Sequence, residues 1–136
     1  MKIIIETKEP GQMRYPTAGD WYHDKDGVLK VDVVNTGLAT NNLLIAIHEL
    51  IEFTLCRAHG ITQQRVDEFD KTYENLEEPG DSKLAPYERE HSVATGIERI
   101  LAAACNVSWE DHEALITQVD PRQKPPVVFG KPIEAE

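Results

Sequence analysis

Between Ala46 and Leu55 the chain reads AIHELIEFTL, and no other run constrains its fold as strongly. Leu43, Leu44, Ile45, Ile47, Leu50, Ile51, Phe53 and Leu55 surround the axis of a helix here and leave scarcely any polar face. A helix that is hydrophobic all round is normally buried. Yet His48, Glu49 and Glu52 sit in its middle. Burying an ionised carboxylate costs several kcal/mol unless it is paired or coordinates a metal, so something must compensate these groups.

Spacing points to a metal. Residues i and i+4 share one face of a helix, separated by about 6 Å of rise, and can converge on one ion. His48 and Glu52 meet that condition. Glu49 stands about 100° round the axis, beside such an ion, where the general base stands in the HExxH helix of zinc hydrolases. Here the motif is His48-Glu49-Leu50-Ile51-Glu52, with Glu in place of the second His. A later helix offers partners: Glu88, His91, Thr95 and Glu98 fall along one stripe, with the small residue Ala94 beside them. Glu88 and His91 form an E-x-x-H pair of the kind that ligates metals in helical bundles. The expected set is His48, Glu52 and His91 as ligands and Glu49 as catalytic base. Glu98 would be a fourth ligand or the acceptor that fixes an imidazole, and Glu88, Asp67 and Asp70 are further candidates. Zinc suits this set best, with Mn, Fe or Mg as alternatives.

Blander readings of the same residues stay open. His48 is also explained as a neutral buried histidine bonded to Glu52 or a strand carbonyl, and His91 as an interhelical hydrogen-bonded histidine. Asp67 and Asp70 also fit a solvated helix face. His23, His59 and His112 read as surface residues, and Trp21 and Trp109 as core or edge packing.

The remaining chain supplies an α+β domain with strands first and helices after. Lys2–Thr7 is a β-branched run stopped by Glu9-Pro10-Gly11. Trp21–His23 and Val28–Val34 flank Asp24-Lys25-Asp26-Gly27, which suits a hairpin turn, and the second arm alternates apolar and polar faces. Arg14–Gly19 reads as a loop. Thr40, Asn41 or Asn42 can cap the first helix, which Gly60 ends. Thr62 can cap a second helix to about Leu76, with Val66, Phe69 and Tyr73 on one stripe. A third helix is expected from near Pro86 to Ala104 with Asn106 as its stop, and a fourth from Ser108 to about Val119. Residues 1–119 are thus expected to form one metal-binding domain. Residues 120–136, with Pro121, Pro125, Pro126 and Pro132, are expected to form a flexible tail.

Composition narrows the partners. A net charge of −10 repels phosphates and argues against nucleic acid. No stretch approaches the roughly 20 apolar residues of a membrane span, and the first residues are too short an apolar run for a signal peptide, so a cytoplasmic protein is expected. Cys56 and Cys105 both fall in expected helices among apolar neighbours and read as buried reduced thiols rather than a zinc cluster.

The segments RYPTAGDWYHDKDG, AIHELIEFTLCRAHGITQQRVDEFD and APYEREHSVATGIERILAA resemble, in that order over Lys2–Asp111, a group of small proteins encoded by tailed phages and prophages. Such an origin would place the protein in the host cytoplasm. More distantly, strands followed by an HExx helix and a later ligand-bearing helix look like a minimal zincin metallopeptidase. That resemblance implies His48 as first ligand, Glu49 as base and Glu52 in the second-ligand position, where an anionic oxygen shifts preference toward harder metals. It implies a metal-dependent hydrolase in which water, activated by metal and glutamate, attacks a carbonyl. Two other functions fit parts of the sequence. Glu49-x-x-Glu52 with Asp67-x-x-Asp70 resembles the metal motif of MazG-like, Mg-dependent nucleotide pyrophosphohydrolases. A non-enzymatic phage accessory protein binding a host protein through its acidic surface is the third.

Overall fold

A computed structural model describes residues 1–73, 78–120 and 122 of the chain. It shows a three-stranded sheet followed by four helices, an α+β architecture. Strands β1 (Ile3–Lys8), β2 (Gly19–His23) and β3 (Leu29–Val34) are ordered β1-β3-β2. β2 and β3 form the expected antiparallel hairpin, with Trp21 opposite Val31. The Asp24 carboxylate closes its turn by accepting from the Asp26 and Val28 amides at 2.8 and 3.0 Å. β1 pairs parallel to β3, Ile5 opposite Val31, because the Pro10–Gln12 turn and the loop after it carry the chain across to the far edge.

Leu29, Val31 and Val33 point into the core, as alternation requires. The opposite face is only partly solvated: Glu6 is exposed, and Lys30 and Tyr22 are half-buried. Asp32 is fully buried there, accepting from Lys8 Nζ at 2.9 Å and Tyr22 Oη at 2.8 Å. On this face the Arg14 guanidinium lies 4.2 Å from the Tyr22 ring centroid and grips Asp20 through Nε and a terminal nitrogen at 2.7 and 2.9 Å.

Helix α1 (Ala39–Ala58) lies between the sheet and helix α3 (Glu88–Ala104). Its expected caps act otherwise. Leu38 is the N-cap, and Asn42 instead accepts from the Thr36 amide and hydroxyl at 2.9 and 2.6 Å, folding the preceding loop onto the helix. Nor is α1 buried all round. Leu44, Ile45, Ala46, Phe53 and Cys56 are buried, whereas Ile47, Leu50, Ile51 and Leu55 are half-buried and Leu43 is exposed. His48, Glu49 and Glu52 are all on the buried side. Helix α2 (Gln63–Thr72) starts where Thr62 accepts from the Arg65 amide, and helix α4 (Trp109–Val119) starts where Ser108 accepts from the Asp111 amide, both as expected. The hydrophobic cluster of Trp21, Leu29, Val31, Val33, Ile45, Phe53, Val66 and Tyr87 joins the sheet to α1, α2 and the start of α3.

Cys56 is buried, but Cys105 is exposed because it falls at the C-cap of α3, where the chain turns out through Asn106 (φ 58°). Asp120 is buried and pairs with Arg122. Leu76, the expected end of the second helix, and Pro121 and 123–136 lie outside the described residues. No helix among the described residues is long and apolar enough to cross a membrane.

Candidate metal centre

The middle of α1 faces α3, and His91, one turn into α3, projects back toward His48 and Glu52. Three donor atoms converge. His48 Nε2 lies 3.2 Å from His91 Nδ1 and 3.3 Å from Glu52 Oε2, and His91 Nδ1 lies 2.9 Å from the same oxygen. In a tetrahedral site with zinc–nitrogen bonds near 2.0–2.1 Å, adjacent ligand atoms stand roughly 3.3 Å apart. The triangle therefore has about the size that one small divalent ion requires. His48, Glu52 and His91 are all buried and could hold such an ion.

What lies behind each donor explains why the donors face inward. Glu98, two turns beyond His91 on α3, accepts from His48 Nδ1 at 2.8 Å. That bond leaves the His48 Nε2 lone pair for the centre of the triangle, the usual arrangement behind a metal-bound imidazole. The other Glu98 oxygen accepts from His112 Nε2 at 2.6 Å, and Asn41 Nδ2 donates to His112 Nδ1 at 2.8 Å. His112 is thus wholly buried, contrary to its expected surface position, because α4 packs against α3 on that side. His91 directs Nε2 at Asp81 Oδ1, 3.3 Å away, which leaves Nδ1 for the centre. Glu52 keeps Oε2 in the triangle because Trp21 Nε1 donates to Oε1 at 3.1 Å. Trp21 is therefore more than packing.

Two close approaches fix this frame. A Cβ at Gly80 would lie 2.5 Å from His91 Cγ, so the Pro79–Asp81 turn can close on the imidazole only as glycine. A Cβ at Gly19 would lie 3.0 Å from Glu49 Cγ and Cδ and from Ile45 Cγ2.

Without an ion, protons must occupy the centre. Burial alone would push both imidazole pKa values down. For His48 the Glu52 and Glu98 carboxylates overcome it and hold the ring well above its ordinary value. For His91 Asp81 and Glu52 do the same and raise it to about 10. Burial would raise Glu52, but hydrogen bonds from His48 and His91 bring it down to about 2. Glu98 is likewise lowered, its burial outweighed by His112 and His48. Glu49 goes the other way: burial first, then the neighbouring Glu52 charge, raises it well above the carboxylate range. Its Oε2 is 3.8 Å from His48 Nε2, beyond hydrogen-bond reach, and among the described residues it has no hydrogen-bond partner. Glu49 lines a cavity of about 340 Å³ that also reaches His48, Glu52 and His91.

The other candidates stand apart from the triangle. Glu88 is half-buried and does not line this cavity. Asp67 and Asp70 are not a solvated face. Arg14 donates to both oxygens of Asp67, at 3.0 and 3.1 Å. Asp70 accepts from Tyr15 Oη at 2.9 Å and from Tyr87 Oη, and burial, partly offset by those hydroxyls, lifts its pKa to about 7. Neither carboxylate is paired with Glu49 or Glu52 around a common ion, as a four-carboxylate magnesium cage would need. His23 and His59 are exposed, as expected. Comparison with protein-family models, with curated proteins and with solved structures finds no match for this chain.

Proposed function

We propose that this protein is a metal-dependent hydrolase whose ion is held by His48, Glu52 and His91, with Glu49 as the general base. The observation that carries this reading is the triangle of donors, each with its far side tied to a different partner so that three lone pairs meet at one point. Two imidazoles and a carboxylate form a donor set found in catalytic zinc sites, and the side facing the cavity leaves a position open. The distant resemblance to zincins read from the sequence implies the same roles for these residues. When bound, a divalent ion would supply Lewis acidity toward water and a carbonyl oxygen.

The chain's own residues do the rest. Glu49 has no competing hydrogen bond and a raised pKa, which suits a group that takes a proton and returns it. It accepts a proton from water as the water oxygen bonds the carbonyl carbon. It then delivers that proton to the leaving nitrogen or oxygen as the bond to carbon breaks, giving an acid and an amine or alcohol. Glu98 and Asp81 keep the imidazoles in the tautomers that present Nε2 and Nδ1, and Trp21, donating to Oε1, leaves Glu52 Oε2 to hold the ion.

Native mass spectrometry with elemental analysis of untagged protein tests the reading. About one transition-metal ion per chain is expected. His48→Ala loses it, whereas Glu49→Gln retains it and loses turnover. A chain that purifies metal-free and takes up no zinc, manganese or iron refutes the proposal and leaves the host-binding accessory role.

A further inference from the structure

The walls of the cavity are predominantly acidic. Beyond the triangle, Glu49, Glu78, Asp81 and Glu113 line it, and among the described lining residues the only Lys or Arg side chains are Arg99 and Arg122. Arg122 is committed: it grips Asp120 at 2.8 Å and reaches Glu78 at 3.4 Å, and its side chain is almost fully buried. Arg99 rests over the Trp109 ring, 5.2 Å from its centroid. With the two charges of a divalent ion matched by Glu52 and Glu98, and Arg122 matched by Asp120, the carboxylates of Glu78, Asp81 and Glu113 outnumber the one remaining cation, Arg99. Glu49, more than nine-tenths buried, also opens on this cavity and has no hydrogen-bond partner among the described residues.

Low-dielectric walls focus such a field, concentrating cations and repelling anions. Phosphate esters and acidic chains would enter against like charge, a juxtaposition that costs several kcal/mol. Space also limits the ligand. A cavity of about 340 Å³ is near the small end of ligand pockets, enough for one or two residues of an extended chain. The guanidinium of Arg99 lying on Trp109 shows that this wall already accepts a cation over an aromatic face.

We propose that the substrate of this centre is cationic: a short peptide segment with a Lys or Arg side chain, or a free amino terminus, beside the scissile carbonyl. This rests on the hydrolase reading and adds the substrate class to it. Asp81 and Glu113 are exposed at the cavity and would meet the ammonium or guanidinium.

The test separates binding from turnover. Zinc-loaded Glu49→Gln protein is titrated with three fluorescently labelled hexapeptides that are identical except for one central Lys, norleucine or Glu. Their cleavage by zinc-loaded wild-type protein is followed in parallel. The Lys peptide should bind at least tenfold more tightly than the norleucine peptide and the Glu peptide least. The spread should shrink as salt rises from about 50 to about 500 mM. Glu113→Lys should narrow it further. The same ranking in cleavage supports both readings. The ranking in binding with no cleavage keeps the cationic ligand and refutes the hydrolase. Equal binding of all three, a preference for Glu, or binding of none overturns the inference, whether or not any peptide is cut.

Discussion

The protonated centre and the metal-filled centre have opposite pH dependence. In the metal-free protein His91 is raised from its ordinary 6.5 to about 10, because Asp81 and Glu52 outweigh its burial. A group whose folded pKa exceeds its unfolded value contributes stability that is fully present below the unfolded pKa and lost as pH rises through the folded one. The window is therefore pH 6.5 to about 10, and the shift corresponds to on the order of 5 kcal/mol, of which about 4 kcal/mol is lost between pH 6 and pH 10. His48, raised for the same kind of reason, adds in the same direction. At about 4 °C per kcal/mol for a chain of this size, the metal-free protein should lose on the order of 15 °C of melting temperature between pH 6 and pH 10. Zinc competes with those same protons, so its stabilisation should grow over that range. Free zinc at about 100 times its dissociation constant adds roughly 3 kcal/mol. Thermal melts across this range, in chelator and in excess zinc, give two curves that diverge as pH rises. A chelator curve that is flat or rising between pH 6.5 and 9 would refute the protonated cluster. Coincident curves would refute the metal.

Four substitutions probe the frame behind the donors. Trp21→Phe keeps the ring in the core but removes the N–H that holds Glu52 Oε1, and should weaken zinc binding about ten- to hundredfold in a chelator competition. Unchanged affinity would mean that the indole only packs. His112→Gln should lower zinc affinity about tenfold through Glu98, though His112 touches no donor atom of the triangle, and Asn41→Ala should shift it the same way by less. Gly80→Ala places a carbon against the His91 ring, and urea denaturation should show a loss of about 1–3 kcal/mol, the range for overpacking.

How much of this could be read from the chain alone follows from how local each cause is. The i, i+4 relation of His48 and Glu52 is a property of one helix, and the hairpin turn and the Thr62 and Ser108 caps are equally local. The stripe from His91 to Glu98 needed one more step, that α3 faces α1, and the small buried Ala94 carried it. His112 escaped because its burial depends on how α4 lies on α3, which no local spacing encodes; its i+4 partner Ile116 was the available signal. Trp21 had a usable one: a core indole N–H needs an acceptor, and the chain offers a buried carboxylate in the neighbouring helix. Asp81 and Gly80 act through a loop, where periodicity says nothing. The parallel pairing of β1 depends on the path of the 10–18 segment, and Asn42 turned away from capping because Thr36 offered it two donors.

The charges around the triangle show why protons and an ion can exchange there. His48, His91 and His112 face Glu49, Glu52 and Glu98 in a region where the half-exposed Ile47 and Ile51 of the same helix would have packed at less electrostatic cost. In the metal-free protein, protons on His48 and His91 balance Glu52 and Glu98. A divalent ion carries the same charge as those protons, so replacing them leaves the buried charge unchanged. Zinc binding below the folded His91 pKa should then release about two protons per ion, and apparent affinity should fall as much as a hundredfold for each unit the pH drops. Indicator-dye titration in weak buffer at pH 6.5 and 7.5 measures the release directly. Zinc uptake with no proton release would show that both imidazoles were already neutral, and the carboxylates around them would then lack the compensation assigned here.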